Sequence, residues 1–353
     1  MAPGMVNDLE YLAARLHGRR SRLAEAERLD ALCRLTHLAE LGHAVYPDAE
    51  FHTAADFQRR LAQHLVRELS GFLKHLEGPG ADLLAWMLVR FQVENMRVLL
   101  RSFMHRTPLE GPEKYLLSLP HDLTLDVQAL MAAESLEEFT ELLPSGTPRK
   151  SLREALGTYH DQPRPFFLEA ALDRGYFQEL LARAEQLSGE DTELIKPIVL
   201  QEVDAFHLML IVRGKFQYGL TPELLLPLRV HGSGIPSAQF SSMLGAPDIL
   251  TAASLAVGRA IDALPSELGS SEASATVDPS ALEALVWKRN LRLSKRAFRR
   301  SHMGLGAVVG YLGIRRVEVA NLITLSEGIR VGVATEAIRA RLIPRADLES
   351  VYV

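Results

Sequence analysis

FQVENMRVLLRSFM (Phe91–Met104), VDAFHLMLIVRGKF (Val203–Phe216) and VEVANLITLSEGIR (Val317–Arg330) are three spellings of one helix. Aligned without gaps, each opens on an apolar residue: Phe91, Val203, Val317. Four positions on stands a polar one: Asn95, His207, Asn321. Val98-Leu99, Leu210-Ile211 and Thr324-Leu325 follow, and a small residue closes each copy: Ser102, Gly214, Gly328. The polar positions are 112 and 114 residues apart. That period is too long for a solenoid repeat and suits a small helical domain used three times.

Positions 91, 95, 98, 99 and 102 share one side of a helix, as do their counterparts, and that side is expected to face a core. An amide or imidazole in mid-stripe then needs partners, because burying one unpaired costs about 1–3 kcal/mol. A backbone carbonyl of a neighbouring helix is one candidate. The polar residue three positions earlier (Gln92, Asp204, Glu318) is another. The closing small residue lets a helix end sharply or lets another helix approach. The expectation is a structural clamp rather than a catalytic group, because a position repeated in every copy serves the fold.

The rest of the chain has the same helical period. Leu9, Leu12, Ala13, Leu16 and Leu23 form one stripe, Leu61, Leu65, Leu69, Phe72, Leu73 and Leu76 another, and Leu282, Leu285, Val286 and Leu293 begin a third. Alternating Val/Ile/Thr runs are absent, so the expected class is all-α. Prolines bound helix-sized windows, and Thr221-Pro222-Glu223 and Asp278-Pro279 read as helix starts. The expected domains are 1–110, 111–225 and 226–353, with a polar, mobile linker near 266–278 (SELGSSEASATVD).

Composition excludes several classes. At 353 residues, 47% hydrophobic and 24% charged, the chain can bury a core. Net charge −5 argues against a general nucleic-acid binder. A lone Cys33 among leucines excludes an internal disulfide framework and reads as a buried thiol. No stretch reaches the roughly 18 apolar residues of a membrane span, so any membrane contact is expected to be peripheral. Acids and arginines interrupt the first twenty residues, so no leader is expected there.

Catalytic signatures are missing. Gly214-Lys215 is followed by Phe216 rather than Ser or Thr, so no P-loop forms. Gly304, Gly306 and Gly310 follow a basic helix rather than a strand and read as close helix packing or a helix break. Glu40/His43 and Asp204/His207 have carboxylate–histidine spacing but lack the further glutamates of a bundle metal site. Glu134, Glu137, Glu138 and Glu141 read as a solvated acidic face. The strongest charge feature is Lys288, Arg289, Arg292, Lys295, Arg296, Arg299 and Arg300 around a seam of Trp287, Leu291, Ser294 and Phe298. It is either a solvated cationic face or a contact for an acidic partner or anionic headgroups. Arg101 and Arg213 are equivalent, but Glu327 in the third copy breaks a ring of like charge.

Four stretches, in order, resemble the C subunit of archaeal and bacterial V/A-type ATPases, whose eukaryotic counterpart is the d subunit. They are Tyr11–Leu23, Gln92–Arg101, Val212-Arg213-Gly214-Lys215 with Tyr218–Glu223, and Tyr311-Leu312 with Glu318–Ile323 running on to Leu342. His207 in place of Asn, Glu327-Gly328-Ile329 and Ser102-Phe103 depart from the family's pattern. The resemblance implies three similar helical domains in a pseudo-threefold funnel. It further implies a seat on the cytoplasmic face of the membrane, with the proteolipid ring beneath and the central stalk in the hollow. On that reading the chain is a non-catalytic coupler of torque for ATP-linked proton or sodium transport, with no cofactor. The competing expectations are an all-α metal-dependent enzyme, which lacks a DDxxD-type pair here, and a helical scaffold unrelated to ATPases.

Overall fold

A computed structural model describes residues 8–105, 115–161, 163–265 and 278–344. Helices account for all regular structure among them, apart from an isolated bridge between Val257 and Ile261. In chain order they are α1 Asp8–Arg20, α2 Ala26–Cys33, α3 Leu38–Val45, α4 Ala54–Leu73, α5 Gly78–His105, α6 Val127–Ala132 and α7 Leu136–Leu142. There follow α8 Thr147–Asp161, α9 Pro165–Ala184, α10 Gly189–Ile211, α11 Pro222–Leu225, α12 Ser237–Gly245, α13 Ile249–Leu255, α14 Pro279–Arg300, α15 Leu305–Val331 and α16 Thr335–Arg339. The protein is all-α.

Local chemistry sets many of the starts. Thr53, Asp126, Ser135 and Asp248 each accept a backbone N–H three residues on, satisfying a donor that the first turn leaves free. Helices begin at Pro222 and Pro279, where the fixed φ of proline suits a first turn. Pro197 is different: it lies inside α10.

Contacts divide the chain into two compact units, and the three copies of the repeated helix are shared between them. One unit holds residues 1–76, 193–195 and 286–353; the other holds 77–192 and 196–285. The repeated helix is α5 in its first copy, α10 in its second and α15 in its third. The expected boundary near 110 and residues 266–277 of the expected linker lie outside the described residues.

In the unit that contains the chain's beginning and end, α15 packs against α1, α3, α4 and α16. Its core joins Leu322, Leu325, Ile338 and Leu342 to Leu29, Leu32, Cys33, Leu41, Phe57 and Leu61. Cys33 is buried there. In the other unit α5 packs against α6 and α9, α9 also lies along α8, and α12 packs on α13.

The three copies share an order of helices. A long helix ends, four residues intervene, and the repeated helix begins: α4 to α5 across 74–77, α9 to α10 across 185–188, α14 to α15 across 301–304. The far ends also match. Gly332, with φ +69°, caps α15, and the Val333 N–H donates to the Gly328 carbonyl at 2.9 Å. Gly219, with φ +66°, plays the same part after α10, and the Leu220 N–H donates to the Gly214 carbonyl at 2.9 Å. Gly219 stands five positions after Gly214, but Gly332 only four after Gly328. A π-helical stretch, Val212–Gln217, takes up the extra residue.

Candidate functional site

The polar residue in mid-stripe reaches a backbone segment 22 or 23 residues downstream. Asn95 Nδ2 donates to the Leu117 carbonyl at 2.8 Å, and Leu117 N–H donates to Asn95 Oδ1 at 2.9 Å. Asn321 repeats this pair with Ile343, at 2.8 and 2.9 Å. A side-chain amide can serve both groups of one residue's backbone because it carries a donor and an acceptor side by side. His207 makes half of the arrangement: Val230 N–H donates to its Nε2 at 2.9 Å, and its buried Nδ1 has no partner among the described residues. Burial and the nearby Arg229 push the His207 pKa down to about 3, so the ring is neutral.

The residue three positions earlier makes a second backbone contact. Gln92 donates to the Leu123 carbonyl at 3.0 Å, and Asp204 accepts from Ile235 N–H at 2.9 Å. Both partners lie 31 residues ahead. Glu318 instead accepts from Ala24 N–H at 2.6 Å, close to the start of the chain. Two short helices follow each of these partners: α6 and α7, α12 and α13, and here α2 and α3. Residues 24–45 thus supply to the third copy what the other two copies receive from the segment after their own helix. The downstream residues Leu117, Val230 and Ile343, and this N-terminal substitution, are not among the expected site residues. Backbone partners carry no side-chain signature, but the order of helices read cyclically does reveal the substitution.

The small residues make room beside the clamp. A Cβ on Gly214 would stand 2.6 Å from the Leu225 side chain of α11, and one on Gly328 2.5 Å from Ile338 of α16. Both helical segments run past these glycines and end at the left-handed ones, so close approach is what the positions serve. Ser102 is buried and donates to the Val98 carbonyl at 2.9 Å.

Positions 101, 213 and 327 each meet a long helix that precedes a copy of the repeated helix in the chain. Arg101 pairs with Glu169 of α9 through two bonds of 2.6 Å, and Arg213 with Glu283 of α14 at 3.3 Å. Glu327, of opposite sign, accepts from Gln58 of α4 at 2.6 Å. The side-chain hydrogen bond from Arg330, then that from Gln58, holds the Glu327 carboxyl below its usual range. The partner has changed with the charge.

More deeply placed ions stiffen the same helix contacts. Arg315 of α15 is buried with Glu68 of α4 at 3.1 Å and with Glu318; Tyr311 donates to Glu68 at 3.2 Å. Burial disfavours the Arg315 cation, but Glu318 and Glu68 more than offset this and raise its pKa. Between α5 and α9, Arg90 pairs with Asp173 at 2.7 Å, and Arg97 pairs with the same carboxylate.

Other candidates are already engaged. Asp204 and His207 are both committed to backbone N–H groups, and among the described residues no three metal-type ligands converge. Lys215 donates to the carbonyls of Leu244, at 2.6 Å, and Ala246, closing the C-terminal end of α12. In the acidic face Glu137 meets His160 at 2.6 Å, Glu141 meets Arg153 at 2.6 Å, and Glu138 accepts the Glu134 N–H at 2.7 Å. Gly310 lies so close to α14 that a Cβ would be 2.6 Å from the Phe298 nitrogen and the Ser294 carbonyl oxygen. On the other side of α14, Lys295 pairs with Glu25 at 3.4 Å, while Arg292, Arg296, Arg299 and Arg300 are exposed. No described helix is long and apolar enough to cross a membrane.

Comparison with known proteins gives one answer along nearly the whole chain. The family model for the ATP synthase (C/AC39) subunit matches residues 12–341. The C subunit of the A-type ATP synthase from Methanosphaera stadtmanae is 25% identical over 86% of this chain and 76% of its own length. Its equivalents from Methanocaldococcus jannaschii and Haloferax volcanii are 23% and 22% identical, covering 96% and 95% of this chain and 88% and 97% of their own. The chain belongs to the ATP synthase (C/AC39) subunit family.

Proposed function

We propose that this chain joins the central stalk of a rotary ATPase to the proteolipid ring in the membrane and carries torque between them. It has no chemistry of its own in this reading. Three bundles, near 1–110, 111–225 and 226–353, stand about a pseudo-threefold axis as a funnel. The stalk enters the hollow, and the ring lies beneath on the cytoplasmic face. The third bundle is completed by residues 24–45.

One observation carries the proposal: the same backbone clamp recurs at Asn95–Leu117, His207–Val230 and Asn321–Ile343 in a chain of this family. Similar bundles repeated around an axis make a socket. Stiffness comes from packed helices and from ion pairs held inside them. Asn95, His207, Asn321, Ser102, Gly214 and Gly328 serve the fold, and Arg292, Lys295, Arg296, Arg299 and Arg300 form a partner-facing surface. A metal-dependent enzyme finds no support in Asp204 and His207, each of which is committed to a backbone N–H.

The test is affinity purification of the tagged chain from its native membrane under mild detergent. Recovery of the proteolipid ring and stalk subunits together is the expected result. Recovery of the chain alone, with bound metal, contradicts the reading.

A further inference from the structure

The two sides of α14 differ in kind. Between Lys288 and Arg300 every apolar side chain (Leu291, Leu293, Ala297, Phe298) is buried. The opposite side exposes Lys288, Arg292, Arg296, Arg299 and Arg300. Their spacing keeps them on one face about 18 Å long, at 1.5 Å per residue. From Ala284 to Val317 the chain has no Asp or Glu, although its net charge is −5.

The face continues past the helix end. His302 and Met303 are exposed, Met303 at 45%. The end of α1 is fastened there. His17 Nε2 lies 3.2 Å from the His302 carbonyl oxygen, and its ring is 4.5 Å from that of Phe298. The Arg20 guanidinium lies 4.9 Å from the same Phe298 ring, and Arg22 beyond it is exposed. Glu25 is engaged by Lys295 at 3.4 Å and Arg20 at 3.5 Å.

We infer that this face of α14 docks on an anionic phospholipid surface. The inference rests on the proposed function, which holds the chain against a membrane. Headgroups fit better than an acidic protein for two reasons. A specific protein contact centres on a desolvated aromatic or aliphatic anchor, and between Lys288 and Arg300 the apolar groups are turned into the core. It also mixes signs to set register, whereas among the described residues the exposed charged side chains of this face of α14 carry one sign. A single-sign face suits a diffuse anionic sheet. Each Lys or Arg brought to such a surface strengthens attraction about fivefold.

The experiment is sedimentation of the purified full chain with vesicles of equal parts phosphatidylcholine and phosphatidylglycerol, and with phosphatidylcholine alone. Binding to the anionic vesicles only, abolished by high salt and weakened more than about tenfold by Arg296→Glu with Arg299→Glu, is the expected result. Both side chains are exposed, and an unchanged circular dichroism spectrum confirms the variant's fold. Equal binding to both vesicle types, no binding, or full binding by the variant overturns the inference. So does a variant that fails to join the ring or stalk when the wild type ignores anionic vesicles; that outcome assigns the face to an acidic protein. Anionic binding by a chain that recovers no ATPase subunits from membranes would instead refute the rotor reading and leave the lipid contact standing.

Discussion

Asn95 and Asn321 each satisfy both backbone polar groups of a single residue, so removing either amide strands a donor and an acceptor together, half-buried at Leu117 and buried at Ile343. Asn95→Leu is expected to lower the unfolding free energy by about 2–4 kcal/mol in urea titration, with no activity lost selectively. His207 gives the same position a different character. Below about pH 6.5 the unfolded chain protonates this imidazole, while the folded chain resists protonation until about pH 3. The unfolded state therefore binds more protons across that window. Stability is retained above it and lost as pH falls through it, at about 1.4 kcal/mol per pH unit from this one group. His207→Asn is expected to remove that contribution; an unchanged slope of stability against pH would show that His207 titrates normally. The polar residue in mid-stripe was legible in the sequence, because an amide on an apolar face needs a partner. Its partner was not, because Leu117, Val230 and Ile343 take part through backbone groups that nearly every residue carries.

Helices respond to glycine substitution according to what stands opposite. Gly310 faces the backbone of α14, at Phe298 and Ser294, while Gly328 faces the end of the Ile338 side chain. A methyl group against backbone forces two helices apart, whereas Ile338 can turn away. Gly310→Ala is therefore expected to cost about 1–3 kcal/mol, and Gly328→Ala distinctly less, since alanine also favours the helix. Comparative thermal melts of the two variants decide the ranking. Helical class, the proline starts at 222 and 279, and the crowding of glycines at the start of α15 were all readable from spacing. The π-helical stretch after α10 was not, since one extra residue between Gly214 and Gly219 shows only beside the third copy. Nor was the pairing of Glu327 with Gln58: a broken charge pattern is visible in one stretch of sequence, but its compensation lies 269 residues away.

For the whole molecule, the family is that of a structural ATP synthase subunit rather than a catalytic one. The unit containing both chain ends depends on residues 24–45, which donate Ala24 N–H to Glu318 and place Leu29, Leu32 and Leu41 in the core around α15. Deleting residues 8–45 is expected to abolish amide protection in α15 in hydrogen-exchange measurements while α5 and α9 remain protected. Protection of α15 without those residues would mean that the third copy is complete in itself. The threefold echo was legible at once in Asn95, His207 and Asn321. That the chain's beginning closes its last copy shows only in the order of helices read cyclically, because residues 24–45 carry no copy of the repeated helix.

The rotor assignment meets its most direct test in a single-particle electron microscopy map of the ATP synthase purified intact from its native membrane. The account predicts density for this chain on the ring's cytoplasmic face, with the stalk seated among three bundles related by an approximate threefold rotation. Density for the chain on a stationary element of the enzyme, or bundles with no such rotation between them, would contradict it.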